Sequence, residues 1–210
     1  PLWRGPGGRG GRGGGGGGRG GGTQGEQPQG PQIPPDRANW DTPYIISPHS
    51  PTRLYWATQY VYRSEDRGDS WTRISPDLSR NLDPFNIPIM GKVWPRDSVA
   101  LNTSTTPLSN VVSLDESPLL AGLLYAGTDD GLLQITEDDG KNWRKVEDFP
   151  GVPKWTYVSD VAPSPRDADT VFVSFNNWQR GDFKPYIVKS TDRGKTWTNI
   201  SSNLPPKHDV

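Results

Sequence analysis

An eight-residue phrase occurs three times in this chain, each time ending in tryptophan: Ser64-Glu65-Asp66-Arg67-Gly68-Asp69-Ser70-Trp71, Thr136-Glu137-Asp138-Asp139-Gly140-Lys141-Asn142-Trp143 and Ser190-Thr191-Asp192-Arg193-Gly194-Lys195-Thr196-Trp197. The shared pattern is Ser/Thr-x-Asp-x-Gly-x-x-Trp. Such recurrence makes the chain a stack of one repeated unit rather than a single unrepeated core. Gly68, Gly140 and Gly194 hold the slot of a tight turn where φ must be positive. The aspartate two positions earlier can accept from the turn's own N–H groups, and the Ser or Thr before it can brace the incoming strand. The tryptophan then opens the return strand with a broad apolar surface for packing between sheets.

The repeat reaches well upstream of the turn. Tyr44-Ile45-Ile46, Leu54-Tyr55-Trp56-Ala57 and Tyr60-Val61-Tyr62-Arg63 precede the first phrase. Val111-Val112-Ser113-Leu114, Leu123-Leu124-Tyr125-Ala126 and Leu132-Leu133-Gln134-Ile135 precede the second. Tyr157-Val158-Ser159-Asp160-Val161, Val171-Phe172-Val173-Ser174 and Tyr186-Ile187-Val188-Lys189 precede the third, and a short strand, Thr72-Arg73-Ile74, Arg144-Lys145-Val146 or Thr198-Asn199-Ile200, is expected after each tryptophan. These runs are β-branched and aromatic and are bounded by Ser, Pro, Asp and Gly, so each unit reads as four short strands. No segment carries a sustained helical period. The expected fold is all-β: a β-propeller segment of about three four-stranded antiparallel blades, near residues 41–75, 110–147 and 156–201. Three blades do not close a ring. With Pro1 in place of methionine and the sequence running out after the third blade, the expectation is an internal or processed piece of a longer propeller.

The phrase resembles the Asp-box, or BNR repeat, of sialidases, sortilins, xyloglucanases and photosystem II assembly-factor propellers. Leu123-Leu124-Tyr125-Ala126-Gly127-Thr128-Asp129-Asp130-Gly131-Leu132, Phe149-Pro150-Gly151-Val152-Pro153 and Asp182-Phe183-Lys184-Pro185-Tyr186 narrow the likeness. They are similar to bacterial sortilin-like propellers of the BNR-repeat glycosyl hydrolase group, and Ile74-Ser75-Pro76-Asp77-Leu78 and Ile87-Pro88-Ile89-Met90-Gly91 fit the same group. The likeness covers residues 39–210 and implies an extracytoplasmic propeller, periplasmic or secreted. It does not fix an activity.

Residues 1–38 differ in kind. Glycine dominates Gly7 to Gly22, with Arg9, Arg12 and Arg19 interspersed, and Gln, Gly and Pro follow to Pro35, so this stretch reads as a flexible loop or linker. It holds five arginines against Glu26 and Asp36, a net +3, whereas residues 39–210 hold 18 basic and 22 acidic side chains, a net −4. A net-negative body disfavours nucleic acid as a partner. The absence of cysteine excludes disulfides and thiolate chemistry, and the two histidines, His49 and His208, lack ligand-spaced companions. No metal and no cofactor is expected.

The repeated aspartates Asp66, Asp138 and Asp192 occupy the same turn in separate blades, which assigns them to structure rather than to a paired-carboxylate site. The acids expected nearest the channel are Asp115 with Glu116 and Asp160, on or beside innermost strands; Asp129 and Asp130 fall in an Asp-Gly turn. No catalytic residue is assigned. Candidate binding residues are the large side chains that the repeat leaves over: Trp94, Arg96, Trp155, Trp178 and Arg180. Two insertions carry most of them, Ser79–Leu108 and Asn176–Lys184. The reading they favour is a protein-binding or scaffolding module, an accessory subunit of a larger membrane-associated complex, with carbohydrate as a second ligand class. The alternative is a BNR-type glycoside hydrolase whose catalytic residues lie largely outside this segment.

Overall fold

The computed structural model describes residues 35–99, 101 and 107–205, so residues 1–34 of the flexible segment expected at 1–38 lie outside the described residues. The body begins at Pro35, ahead of the expected boundary at 39. The reason is Arg37, whose guanidinium donates to Ser109 O, Asn81 Oδ1, Asp77 Oδ2 and Ser79 Oγ. Gln59 fastens the same segment by accepting from Arg37 N and donating to Pro35 O.

Three four-stranded antiparallel sheets follow. Blade 1 is β1 (Tyr44–Ile46), β2 (Leu54–Ala57), β3 (Val61–Ser64) and β4 (Thr72–Arg73). Blade 2 is β5 (Val111–Glu116), β6 (Leu124–Thr128), β7 (Leu133–Thr136) and β8 (Arg144–Val146). Blade 3 is β9 (Tyr157–Pro163), β10 (Val171–Asn177), β11 (Asp182–Ser190) and β12 (Thr198–Asn199). Each sheet pairs its strands in sequence order, as a propeller blade does. Among the described residues there is no α-helix, only 3-10 turns at Pro84–Asn86 and Trp178–Arg180.

Register makes the blades superimposable. Leu54 pairs with Ser64, Leu124 with Thr136 and Val171 with Ser190, so the first residue of each phrase faces the first residue of its second strand. Because side chains alternate across a strand, each blade then presents two distinct faces to its neighbours. Tyr55, Ala57 and Val61 of blade 1 meet Leu114, Leu124 and Ala126 of blade 2 in one core. Tyr125, Leu133 and Ile135 of blade 2 meet Val158, Val173, Tyr186 and Val188 of blade 3 in the other.

The phrases form the turns between third and fourth strands. In blade 2, Thr136 Oγ1 accepts from Gly140 N at 2.9 Å and donates to Asp138 Oδ1 at 2.9 Å, and Asp138 accepts from Asn142 N and Asn142 Nδ2. Ser64 and Asp66 repeat this with Gly68 and Ser70, and Ser190 and Asp192 with Gly194 and Thr196. Donors crowded on the carboxylate favour its charged form, and Ser70's hydroxyl and amide together hold Asp66 down at about 2. The glycines lie at φ 97, 88 and 76°, and the residues before them, Arg67, Asp139 and Arg193, are also left-handed. Their amides donate to Thr52, Gly122 and Asp169 in the turns between first and second strands, tying both turns at that end of each blade.

The described residues of the two insertions are more ordered than their composition indicates. Within Ser79–Leu108, Ile89 and Lys92 bridge across a turn at Met90 and Gly91. The expected loop Asn176–Lys184 is largely strand, because β10 and β11 run on to pair Asn177 with Asp182 and leave a tight turn at Trp178–Gly181.

Candidate functional site

At the end of the blades opposite the turns between third and fourth strands, connections from all three blades converge around a cleft of about 250 Å³. Leu82, Ile87 and Leu108 of the first insertion give its apolar lining, and Asn176, Gln179 and Arg180 of blade 3 line it too. Asp129, Trp155 and Tyr157 belong to the same lining. Long-range bonds fix the rim: Tyr157 Oη donates to Asp41 Oδ2 at 2.8 Å, and Arg180 Nη1 donates to Lys154 O at 3.0 Å.

Trp155 is the most constrained of these residues. Its backbone is left-handed at φ 62°, uncommon for an aromatic residue and a form of strain that concentrates at functional positions. The Arg80 guanidinium lies 5.6 Å from the Trp155 ring centre, itself anchored by Nε to Asp130 O and by Nη1 to Glu147 Oε2. The indole remains 46% exposed. Gly131 permits this placement, because a Cβ there would stand 2.6 Å from Trp155 Cα.

Asp129 and Asp130 diverge in role although they are adjacent. Asp130 is buried and spent on structure, accepting from Thr128 Oγ1 at 2.6 Å and from Arg80 N at 2.8 Å. Asp129 accepts from Asn110 N at 2.8 Å, and burial, with the Asp130 charge adding to it, pushes its carboxyl up to about 7 against those bonds. A carboxyl that is half protonated near neutrality is able to give or take a proton.

A consequence for stability follows from the sign of this shift. An unfolded aspartate ionises near pH 4, whereas folded Asp129 keeps its proton to about 7, so stability falls as pH rises between these values. Asp129→Asn removes that component. Denaturant titrations at pH 4.5, 6 and 7.5 are expected to show the variant gaining on the wild type at each step; parallel pH profiles would contradict the placement of Asp129.

The other expected residues separate into groups. Trp178 stands at the tip of the β10–β11 turn, 51% exposed, beside the cleft but not in its lining. Trp94 and Arg96 are occupied within the first insertion: Trp94 donates to Ile89 O beneath Lys92, and Arg96 pairs with Asp83 and lies over Phe85. They brace that insertion. Asp115 and Asp160 lie on the innermost strands β5 and β9; burial, then the Asp160 charge, raises the Asp115 carboxyl. Neither lines the cleft. Tyr157, Gln179 and Asn176 were not singled out from the sequence, nor was Trp40, 91% exposed in the leading segment next to the Asp41 that holds Tyr157. Among the described residues no cluster of His, Cys, Asp or Glu is placed to hold a metal ion.

No family model matches the chain. A xyloglucanase of Paenibacillus sp is 30% identical over 95 residues, 40% of this chain and 9% of that protein. Among solved structures, an ancestral GH74 enzyme is similar over 81% of this chain and 19% of its own, with a TM-score of 0.53 and 15% identity. The GH74 xyloglucanase of Xanthomonas campestris is similar over 78% of this chain and 23% of its own, with a TM-score of 0.50 and 16% identity. The chain therefore spans under a quarter of each. At these identities the structural likeness establishes the propeller fold and no more. The resemblance read from the sequence holds at the level of the β-propeller; its sortilin-like refinement gains nothing from these relatives.

Proposed function

We propose that this chain is the polysaccharide-binding part of a glycoside hydrolase propeller and that the cleft around Asp129 and Trp155 is a sugar subsite. The observation that carries the reading is the near-neutral Asp129 carboxyl in an open cleft beside a half-exposed, conformationally constrained indole. Sugar rings present an apolar C–H face to such an indole and hydroxyls to flanking amides, here Asn176 and Gln179. Glycoside hydrolysis uses a carboxylic acid whose pKa is raised by its surroundings, together with a second carboxylate about 5–10 Å away. Asp130, the other acid of the cleft, is committed to Thr128 and Arg80, so the second carboxylate comes from elsewhere in the propeller.

The similarity to xyloglucanases supports this reading over the protein-binding one. It makes a β-glucan of the xyloglucan class the first ligand to try and an extracytoplasmic site the expected location. Among the described residues no helix is long and apolar enough to cross a membrane. Calorimetric titration of the chain with xyloglucan oligosaccharides is expected to show binding, weakened about tenfold by Trp155→Ala, which corresponds to about 1.4 kcal/mol. No binding, or equal binding by the variant, rejects the proposal.

A further inference from the structure

The first insertion sends one arginine to Trp155. Arg80 comes from a turn fixed on both sides: Ser79 N donates to Asp77 Oδ1, Asn81 N to Ser79 Oγ, and Leu82 N to Ser109 Oγ. Its side chain is only 17% exposed, a burial that arginine accepts when its donors are paired. Asp130 and Glu147 supply the pairing, from blade 2 and from the connection that follows it. The repeat does not require this residue. Three residues past the motif tryptophans stand Ile74 and Val146; six further on, the first blade has Arg80 and the second has Val152, which packs against the core of blades 2 and 3.

Beyond these bonds Arg80 meets the indole. Its guanidinium lies over the Trp155 ring, 5.6 Å from the ring centre, while Trp155 stays 46% exposed. A ring backed by a fixed cation is ordered before any ligand arrives, and a platform ordered in advance costs less to bind. The cation also polarises the ring. Electron density drawn toward the guanidinium leaves the opposite face a poorer partner for a second cation, which would meet a like charge through the ring. Arg180 in the cleft lining adds to that, and Asp130, an acid of the same lining, is already taken up by Thr128 and Arg80.

We propose that Arg80 positions Trp155 as the platform of the sugar subsite and makes its open face select neutral sugar rings over amino sugars. The ligand rests on the sugar-subsite reading above; the hold on the indole does not.

Trp155→Phe assigns the Trp155 indole N–H signal in the nuclear magnetic resonance spectrum of the chain. In variants that circular dichroism shows to be folded, that signal is expected to shift in Arg80→Met, and less in Arg80→Lys. It should stay in place in Arg96→Met, which removes another guanidinium of the same insertion that lies over a ring. Titrations at about pH 5.5, where Asp129 keeps its proton and an amino sugar is charged, then compare a neutral β-glucan oligosaccharide with one of glucosamine. The wild type is expected to prefer the neutral chain about threefold, a modest margin because Glu147 offsets part of the Arg80 charge. Arg80→Met should bind the neutral chain about tenfold more weakly and lose the margin, whereas Arg80→Lys, which keeps the charge but not the fork, should lose affinity and keep the margin. An indole signal unmoved in Arg80→Met overturns the positioning role. No margin in the wild type, or the same margin in Arg80→Met, overturns the selective one. If no oligosaccharide binds the wild type, the sugar subsite fails and the selectivity with it, while the indole signal still decides whether Arg80 holds Trp155.

Discussion

Replacing Trp143 by alanine is expected to destabilise the protein by about 3–5 kcal/mol, the range for truncating a large aromatic side chain in a packed core. Its indole lies across the seam between blades 1 and 2, against the cluster of Tyr55, Val61 and Leu124, and its N–H satisfies Ile74 O. Removing it opens a void and orphans a carbonyl in the same step. Asp138→Ala acts nearby and is expected to cost less, because its carboxylate is solvent-facing and holds one turn rather than a seam. Thermal unfolding monitored by near-UV circular dichroism checks the order. A Trp143→Ala protein that melts with the wild type would show that the seam is not where the blades are held together.

The blades were legible because one local rule repeats. Turn glycine, carboxylate and hydroxyl sit at fixed offsets, and alternating apolar strands precede them, so sequence alone fixes where each sheet begins and turns. Part of the turn was nonetheless missed. The residue before each tryptophan, Ser70, Asn142 or Thr196, closes the carboxylate from the far side, and its polar character is visible in all three phrases once the geometry is known. The left-handed Arg67, Asp139 and Arg193 carry no such signal, because arginine and aspartate are held there by hydrogen bonds that their backbone amides donate to a different turn.

The site was legible only in fragments. Trp155 and Arg180 were found as leftover large side chains, and both line the cleft. Trp94 and Arg96 met the same criterion and lie apart from the cleft, in contact with Ile89 and Asp83 of their own insertion, since composition does not say where a side chain is placed. Asp129 reads as half of an Asp-Gly turn. Its altered acidity comes from burial by the tertiary packing around it, and no local pattern encodes that.

Gly131→Ala should therefore damage both fold and site. Gly131 sits at φ 81°, where alanine costs about 1–2 kcal/mol. The added methyl would also stand 2.6 Å from Trp155 Cα and 2.8 Å from its carbonyl carbon, atoms of a backbone that cannot rotate aside. Overpacking of this kind costs about 1–3 kcal/mol more, so a total loss of about 2–5 kcal/mol is expected. The strain is relieved by moving the Trp155 segment outward, which separates the indole from Arg80 and opens the cleft beside Asp129. Two measurements follow from that one displacement: a lowered unfolding midpoint, and a Trp155 fluorescence signal shifted toward that of solvent-exposed indole, read in a variant whose other exposed tryptophans among the described residues, Trp40, Trp71, Trp94 and Trp178, are changed to phenylalanine. Oligosaccharide affinity should fall with them. If Gly131→Ala lowered stability but left both the fluorescence and the binding unchanged, Trp155 would be no part of the recognition surface, and the sugar subsite would have to lie elsewhere on this face of the propeller.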